Sequence, residues 1–344
     1  MKFSLKHIVL LFTAAAALSA CSLVDEDLSD CETDYDISYE LRLVTNMKAE
    51  LQTQLSMASE AGVANAVRSY LSGIFTDYAK DLNLSFFDVY EDSTILHHES
   101  HIMDANQSSY TLYIPVRQYM HLALANVAQD ELVSLEQEDR CHTARIVQRV
   151  QDTIPSHRSG LFTARLPMDI KEGMDQRFDV RLYMANCATA LVVDTLGSGI
   201  RDLKVFMSGF ATGFELCDSV YRYDYTPIVR ADRITPDESG FICYGSVNFP
   251  SRTPEASKVV IDTDDSGVGE GADHSLWQIK VYSETRDGSI TETVLGVSYP
   301  LLPGYFQLIK ARAYTNGSVK PGDPSIAVSV TTDWEPATEH EVIL

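Results

Sequence analysis

The strongest constraint on the fold is a set of short segments in which apolar and polar residues alternate. Residues 178–184 alternate in this way, and the period of two predicts a half-buried strand. Similar segments lie at 39–43, 82–90, 95–103, 110–114, 119–127, 161–170, 188–194, 203–208, 241–247, 257–261, 276–282, 290–297, 305–314 and 325–332. In the last segment we expect Ile326, Val328, Val330 and Trp334 to form one buried face. Because the strands are short and regularly spaced and no regular crossover helices separate the later ones, the pattern predicts β-sandwich architecture and not a parallel α/β sheet.

One region breaks the alternation. Apolar residues recur every three or four positions at Met47, Leu51 and Leu55, and again from Val63 to Tyr78. This spacing predicts one or two amphipathic helices between residues 47 and 80. Residues 130–152 are charged and fit either a helix or a long loop. The predicted fold class is therefore all-β with a helical insertion.

The amino-terminal segment resembles a lipoprotein signal peptide. Two early lysines precede an apolar run from Ile8 to Leu18, which is too short to span a bilayer. The sequence Leu18-Ser19-Ala20-Cys21 then has the form of a lipobox, so we expect acylation of Cys21 after removal of residues 1–20. Ser22 is not the aspartate that retains lipoproteins at the inner membrane. The sequence therefore predicts an outer-membrane lipoprotein, with residues 21–36 as an acidic tether.

Charge excludes several partners. The 27 basic and 49 acidic residues give a net charge of −22, and removal of residues 1–20, which hold two lysines and no acid, changes it to −24. Such a chain disfavours nucleic-acid binding, and anionic lipid head groups repel it. Membrane association is therefore expected to depend on the acyl chains alone.

The length predicts two domains, and residues 171–176 are a short polar linker containing one glycine. We assign an N-terminal β-sandwich domain with the helical insertion to residues 37–172. A C-terminal β-sandwich domain is assigned to residues 177–344, opening with the strand at 178–184.

Five cysteines remain after Cys21 is acylated, so at least one has no partner within the chain. The chain has no C-x-x-C motif, which gives a zinc ribbon or a thioredoxin-like site no support. An exported location permits disulfides. By domain, we expect Cys31–Cys141 and Cys217–Cys243, although sequence alone does not determine the connectivity.

Two segments contain metal-ligating residue types. Residues 97–101 hold three histidines and a glutamate, but a strand would place the outer histidines about 13 Å apart, so a polar strand face is expected. Asp262, Asp264 and Asp273 match the spacing of a calcium loop with a glycine at its turn, and the alternative is a solvated acidic loop. No nucleophile elbow, zinc-protease motif or phosphate-binding glycine loop occurs, so we expect a protein that is not an enzyme.

Short segments along the mature chain carry a family resemblance. These are the lipobox, Asp27-Leu28-Ser29-Asp30-Cys31, Leu41-Arg42-Leu43-Val44 and Ser329-Val330-Thr331-Thr332-Asp333-Trp334. Together they resemble the FimB-type fimbrial anchor subunits, lipoproteins related to type V pilins. The resemblance implies two transthyretin-like β-sandwich domains and a place at the base of a fimbria, where the protein contacts pilin subunits and limits fimbrial length.

The resemblance also implies a reason for this role. Shaft pilins of that type lose an N-terminal strand when a trypsin-like protease cuts after arginine or lysine. Here the first basic residue after Cys21 is Arg42, which lies inside the predicted strand at 39–44. We therefore expect the strand to stay attached. The alternative function is a glycan-binding surface lipoprotein, in which Trp277 and Tyr282 would stack on sugar rings.

Overall fold

The computed structural model describes residues 34–44, 47–56, 60–76, 79–89, 95–101, 109–128, 130–254 and 275–332. Two helices lie in this part of the chain, α1 (Met47–Ser56) and α2 (Ala61–Ile74). The strands are β1 (Asp34–Val44), β2 (Leu82–Asp88), β3 (Ile95–His101), β4 (Ser109–Pro115), β5 (Gln118–Ala125), β6 (Val133–Glu136), β7 (Arg145–Gln148), β8 (Thr153–Pro155), β9 (Phe162–Asp169), β10 (Gln176–Met184), β11 (Cys187–Asp194), β12 (Ile200–Ser208), β13 (Gly213–Glu215), β14 (Val220–Arg222), β15 (Ile228–Arg230), β16 (Asp232–Ile234), β17 (Phe241–Asn248), β18 (Trp277–Thr285), β19 (Ile290–Val297), β20 (Phe306–Ala313), β21 (Val319–Pro321) and β22 (Ile326–Thr331).

The described strands form four sheets, which we name A to D. Sheet A has the order β3-β2-β5-β9-β10-β1-β4, and the small sheet B has the order β14-β13-β7-β6. Sheet C has the order β22-β19-β18-β12-β15-β8, and sheet D has the order β16-β17-β11-β20-β21. The predicted all-β class with a helical insertion is confirmed.

Three apolar clusters hold these sheets together. The largest takes residues from sheet A, both helices and one face of sheet D. A second lies between sheets C and D, as in a β-sandwich, and a third joins sheet A to sheet B. Alternate residues of β11 belong to different clusters, Ala190 to the first and Leu191 to the second. Sheet D is therefore covered on both faces, which explains why β11 is a nearly continuous apolar run.

The helices form the layer between sheets A and D. Val63, Val67 and Leu71 line the buried stripe of α2 at helical spacing. Tyr70 of the same helix donates a hydrogen bond to Asp232 at 2.9 Å, and its ring lies against the backbone of Gly245. A side-chain carbon at Gly245 would come within 2.5 Å of that ring, so this position of β17 requires glycine.

Three expectations from the sequence need correction: the sheet to which β10 belongs, the structure of residues 130–152, and the buried face of the last strand. Strand β10, expected to open the second domain, pairs instead with β1 and β9 in sheet A. The division at residues 172 and 177 stays a prediction. Residues 130–152, expected to be a helix or a long loop, contain β6 and β7.

The expected buried face of the last strand is also wrong. Ile326 is buried, but Val328 and Val330 are 40% and 38% exposed. Trp334 lies outside the described residues. Neither of the two described helices has the length and apolar character needed to cross a bilayer.

Candidate functional site

Strand β1 lies inside sheet A with a hydrogen-bonded neighbour on each side. It runs parallel to β10, with Ile37 opposite Gln176 and Val44 opposite Tyr183. It also runs antiparallel to β4, where the described pairing ends at Glu40 opposite Ser109. Residues 37–40 are therefore paired on both edges. This central part of β1 offers neither edge to another chain.

The inward face of β1 is fully packed. Ile37, Tyr39 and Leu41 are buried in the largest apolar cluster, at the alternate positions expected for one face of a strand. Tyr39 is among the largest fully buried side chains of the described structure. Its removal would therefore leave a large cavity.

A buried hydrogen-bond chain joins Tyr39 to two other strands of sheet A. The Nδ1 atom of His121, on β5, lies 3.0 Å from the carbonyl oxygen of Ser85 on β2. A carbonyl only accepts, so Nδ1 carries the proton. The Nε2 atom is then the acceptor, and the hydroxyl of Tyr39 donates a hydrogen bond to it. The hydroxyl of Tyr39 and both ring nitrogens of His121 therefore have hydrogen-bond partners within the protein.

Burial keeps the imidazole of His121 neutral. It lowers the pKa of His121 to about 3, and the backbone carbonyl of Ser85 opposes the shift. The ring stacks on Phe86 at 4.2 Å and meets the ring of Tyr39 edge-on at 5.3 Å. These contacts fix the imidazole in one orientation, so that Nε2 points at the first strand.

The polar side of β1 carries charges. Glu40 forms an ion pair with Arg177 of β10 and a longer one with Arg42, at 3.7 Å. The side chain of Arg42 is 67% exposed, but its backbone lies inside β1 opposite Arg181. A protease needs the backbone in an extended, unpaired form. The side chain of Arg42 is therefore exposed to solvent, whereas its backbone is paired in the sheet and protected from a protease.

The last described strand differs from the first. Strand β22 pairs only with β19 and forms one edge of sheet C among the described strands. Beyond Ile326 its residues are exposed on both faces. This edge has the geometry that accepts another strand.

Several predicted site residues lie outside the described part of the chain. Cys21, Cys31 and the calcium candidates Asp262, Asp264 and Asp273 are among them, and their roles stay predictions. Of the histidine segment at 97–101, the structure describes the side chain of His98, which is exposed and lies 3.0 Å from Asn83. Within the described residues, no group of three metal-ligating side chains is close enough to hold an ion.

One of the two expected cysteine pairs is not formed, and the other, Cys31–Cys141, stays a prediction because Cys31 lies outside the described residues. Cys217 and Cys243 are both free thiols, and the predicted bond between them is not formed. The reason is position: Cys243 lies on β17 in the largest apolar cluster, whereas Cys217 follows β13 in sheet B. Cys217 interacts instead with Cys141.

The aromatic platform of the glycan hypothesis is absent. Trp277 is only 1% exposed, and its indole nitrogen donates to the carbonyl of Tyr299 at 3.0 Å. Tyr282 is buried as well and meets Phe206 edge-on at 5.9 Å. The two rings are an odd number of positions apart on one strand, so they lie on opposite faces.

Sequence reasoning missed His121 and Arg177. One signal for His121 was present, because it occupies the inward register of β5 together with Tyr119, Ala123 and Ala125. A histidine at such an apolar position indicates a buried partner. Arg177 offered no comparable signal, since its contact with Glu40 depends on a parallel pairing far apart in sequence.

Comparison with known proteins identifies the fold. No family model matches the chain, and no curated protein matches it. A solved structure of a proposed adhesin from Bacteroides ovatus matches with 10% identity and a TM-score of 0.51, covering 92% of this chain and 98% of the other. A proposed adhesin from Bacteroides thetaiotaomicron matches with 9% identity and a TM-score of 0.50, covering 87% and 99%.

A weaker match is to the fimbrial anchor protein Mfa2 from Porphyromonas gingivalis. It has 10% identity and a TM-score of 0.45, and it covers 87% of this chain and 99% of the other. The two adhesin structures establish a shared fold, and at such identities they establish the fold alone.

Proposed function

We propose that the chain is an outer-membrane lipoprotein that anchors a fimbria at its base and limits fimbrial length. The acyl chains on Cys21 hold it in the membrane. A pilin subunit binds it by strand addition on one side only. The role is structural and needs no catalytic centre.

The position of β1 is the observation on which the proposal depends. A polymerising subunit must lose or displace its first strand to accept a neighbour's strand. Here that strand is paired on both edges between residues 37 and 40 and holds Tyr39 in the core. Displacing it would break two ladders and leave His121 without its buried partner. A retained strand keeps the groove filled.

The sequence before β1 supports the same conclusion. No lysine or arginine occurs between Ser22 and Leu41, so a trypsin-like protease has no site in the tether. The first site, Arg42, lies inside β1. A lipid at Cys21 would therefore remain joined to the folded domain.

The free edge of β22 is the proposed contact for the pilin. Its outer backbone groups have no neighbouring strand among the described residues, and Val328 and Val330 add exposed apolar surface. Main-chain hydrogen bonds would give affinity, and the two valines would contact alternate side chains of the incoming strand. One edge binds one subunit, which ends the polymer.

The fold supports this proposal, because it is shared with proteins proposed as bacterial adhesins. The resemblance of the short segments to FimB-type anchors adds the specific role. Cell-surface exposure and contact with pilins follow from that role and share its test.

The decisive experiment is to identify the amino terminus of the mature protein from purified outer membranes. We expect an acylated Cys21 and one copy per fimbria. Replacing Cys21 with alanine should abolish acyl labelling and release the protein from the membrane fraction. Deleting the gene should give fimbriae that are shed or abnormally long.

Two results would overturn the proposal. A mature protein that begins at Leu43 would show that the first strand is removed, as in a polymerising pilin. Immunogold labelling repeated along the shaft would give the same conclusion by an independent route.

A further inference from the structure

A pair of thiols, Cys141 and Cys217, lies at the ends of strands of sheet B: Cys141 is in the turn before β7, and Cys217 follows β13. Strands β6 and β7 of this sheet come before the predicted linker at residues 171–176, and β13 and β14 come after it. Sheet B is therefore built from both halves of the chain. Any covalent bond across it would join them.

Backbone hydrogen bonds bring the two cysteines together. Strands β7 and β13 are antiparallel, with Arg145 opposite Glu215, and the amide of Leu216 donates to the carbonyl of Ala144 at 3.0 Å. Cys217 is the next residue along one chain segment. On the other, a 3-10 turn from Cys141 to Thr143 closes with the amide of Ala144 donating to Cys141 at 3.1 Å. The turn folds Cys141 back beside the end of β13.

The side chains meet at the rim of the third apolar cluster. Cys141 is half-buried and packs against this cluster, which contains Ala144 and Leu216. Burial raises the pKa of the Cys141 thiol, and hydrogen bonding and charge interaction with Cys217 raise it further, while Arg165 opposes the shift. Cys141 is therefore a neutral thiol, and it interacts directly with Cys217.

The other described cysteines are not available for such a bond. Cys187 is fully buried, and its thiol lies 3.4 Å from the carbonyl oxygens of Asn248 and Phe249. Cys243 is buried in a different apolar cluster. A cavity of about 630 Å³ opens beside sheet B, and its lining includes His142 and Asp218, which are next to the two cysteines in sequence. Cys141 and Cys217 themselves are only partly buried, so an oxidant can reach them from solvent.

We propose that Cys141 and Cys217 form a disulfide that staples the two halves of the chain through sheet B. The inference rests on the proposed function in one respect, since export supplies the oxidising compartment. This disulfide excludes both pairs expected from the sequence, Cys31–Cys141 and Cys217–Cys243, because each of them shares a cysteine with it.

The oxidant is the disulfide of a thiol–disulfide oxidoreductase. One thiol loses its proton and attacks this disulfide, which breaks the sulfur–sulfur bond and releases one thiolate of the oxidoreductase. The second thiol then loses its proton and attacks the mixed disulfide, releasing the other thiolate. Two cysteines are oxidised, one disulfide is reduced, and the two protons pass to the released thiolates.

The test is peptide mapping of unreduced protein purified from the cell envelope after alkylation of its free thiols. Trypsin should yield residues 141–145 linked to residues 205–222, and this species should disappear on reduction. Residues 205–222 linked to the peptide of Cys243, or residues 141–145 linked to that of Cys31, would overturn the proposal. So would complete alkylation of Cys141 and Cys217 both in cells and after treatment with oxidised glutathione.

Treatment with oxidised glutathione tests the Cys141–Cys217 disulfide independently of whether the protein is exported. Purified, reduced protein treated with it should form the same linked peptides whatever the compartment. If the bond forms there but the protein from cells is fully reduced, export and the proposed function fail while the paired geometry stands.

A thermal measurement with matched variants gives a second criterion. Reductant should lower the Tm of the wild type by about 5 °C, since the cross-link closes a long loop of the unfolded chain. The Cys141→Ser and Cys217→Ser variants should show no effect of reductant. Cys243→Ser is the control and should respond to reductant as the wild type does. Equal responses in all four proteins would overturn the proposal.

Discussion

The first and last described strands of this chain make opposite use of the same geometry. Strand β1 has a partner on each edge and a buried face, whereas β22 has one partner and, beyond Ile326, exposed residues on both faces. Both have alternating sequences with aromatic or β-branched residues. Strand propensity therefore does not distinguish a locked strand from an open one. Neighbouring elements do.

The largest test of this contrast is Tyr39→Ala. Loss of a fully buried aromatic ring should lower the free energy of unfolding by about 3–5 kcal/mol, measured by urea denaturation. Trypsin cleavage after Arg42 should then be about 100-fold faster, because β1 opens more often. Tyr113→Ala, at a position of β4 that is 62% exposed, is the control and should change neither quantity appreciably. A loss below about 1 kcal/mol would contradict the locked-strand description.

The next effect depends on pH. Burial lowers the pKa of His121 to about 3 in the folded protein. Its imidazole therefore stays unprotonated in the folded state, whereas in the unfolded chain it binds a proton below about pH 6.5. The contribution of His121 to the free energy of unfolding is fully present above pH 6.5 and falls as the pH falls, by about 2 kcal/mol at pH 5. Burial also lowers the pKa of His157, which adds to the loss in the same direction.

The His121→Gln variant isolates the first-strand contribution to this pH dependence. Its unfolding free energy should fall less between pH 7 and pH 5 than that of the wild type. His98→Gln, at an exposed position of β3, is the matched control and should leave the slope unchanged. Equal slopes for the His121→Gln variant and the wild type would exclude His121 as the source.

A smaller effect is expected at the ion pair on the polar side of β1. Arg177 is 63% exposed and Glu40 is 21% exposed, so solvent screens their attraction. Glu40→Gln should cost about 0.5 kcal/mol in low salt and less in high salt. Thermal denaturation at two ionic strengths measures both values. A loss of several kcal/mol that salt does not change would show that Glu40 acts by packing.

The smallest effect should come from the open strand. Val328→Thr and Val330→Thr should each change the unfolding free energy by less than about 0.5 kcal/mol, because these side chains are exposed. Ile326→Thr is the matched comparison on the same face, where burial predicts a cost of about 2 kcal/mol. Equal costs at the three positions would show that the β22 face is covered.

The sequence predicted the positions of the longer strands and the helices better than it predicted which strands pair with each other. Alternation over seven or more residues identified strands such as β10 and β20 because each spans several periods of two. The three-residue strands β8, β13, β14, β15, β16 and β21 are too short to show a period, and none was predicted. The helices were predicted because their stripe extends over several turns.

The candidate site was only partly predictable for the same reason. The sequence placed Arg42 inside a strand, and the structure confirms that position. It did not indicate that β10 would be the parallel partner of β1, since the partner is set by packing between distant segments. Likewise, the pattern of residues 326–330 marks one face of a strand but does not reveal whether another sheet covers it. The proximity of Cys141 and Cys217 depends on the β7–β13 register, which no local signal records.

The pairing of β1 has a consequence for mechanical load. A pull on the chain before Asp34 acts along the strand axis, and β10 and β4 resist it from both sides. The ladder bonds are then loaded in shear, so many must break together instead of one after another from an end. In the anchor role proposed above, a tether joined to this strand would transmit the drag on a long filament to the membrane without first unfolding the protein that holds it.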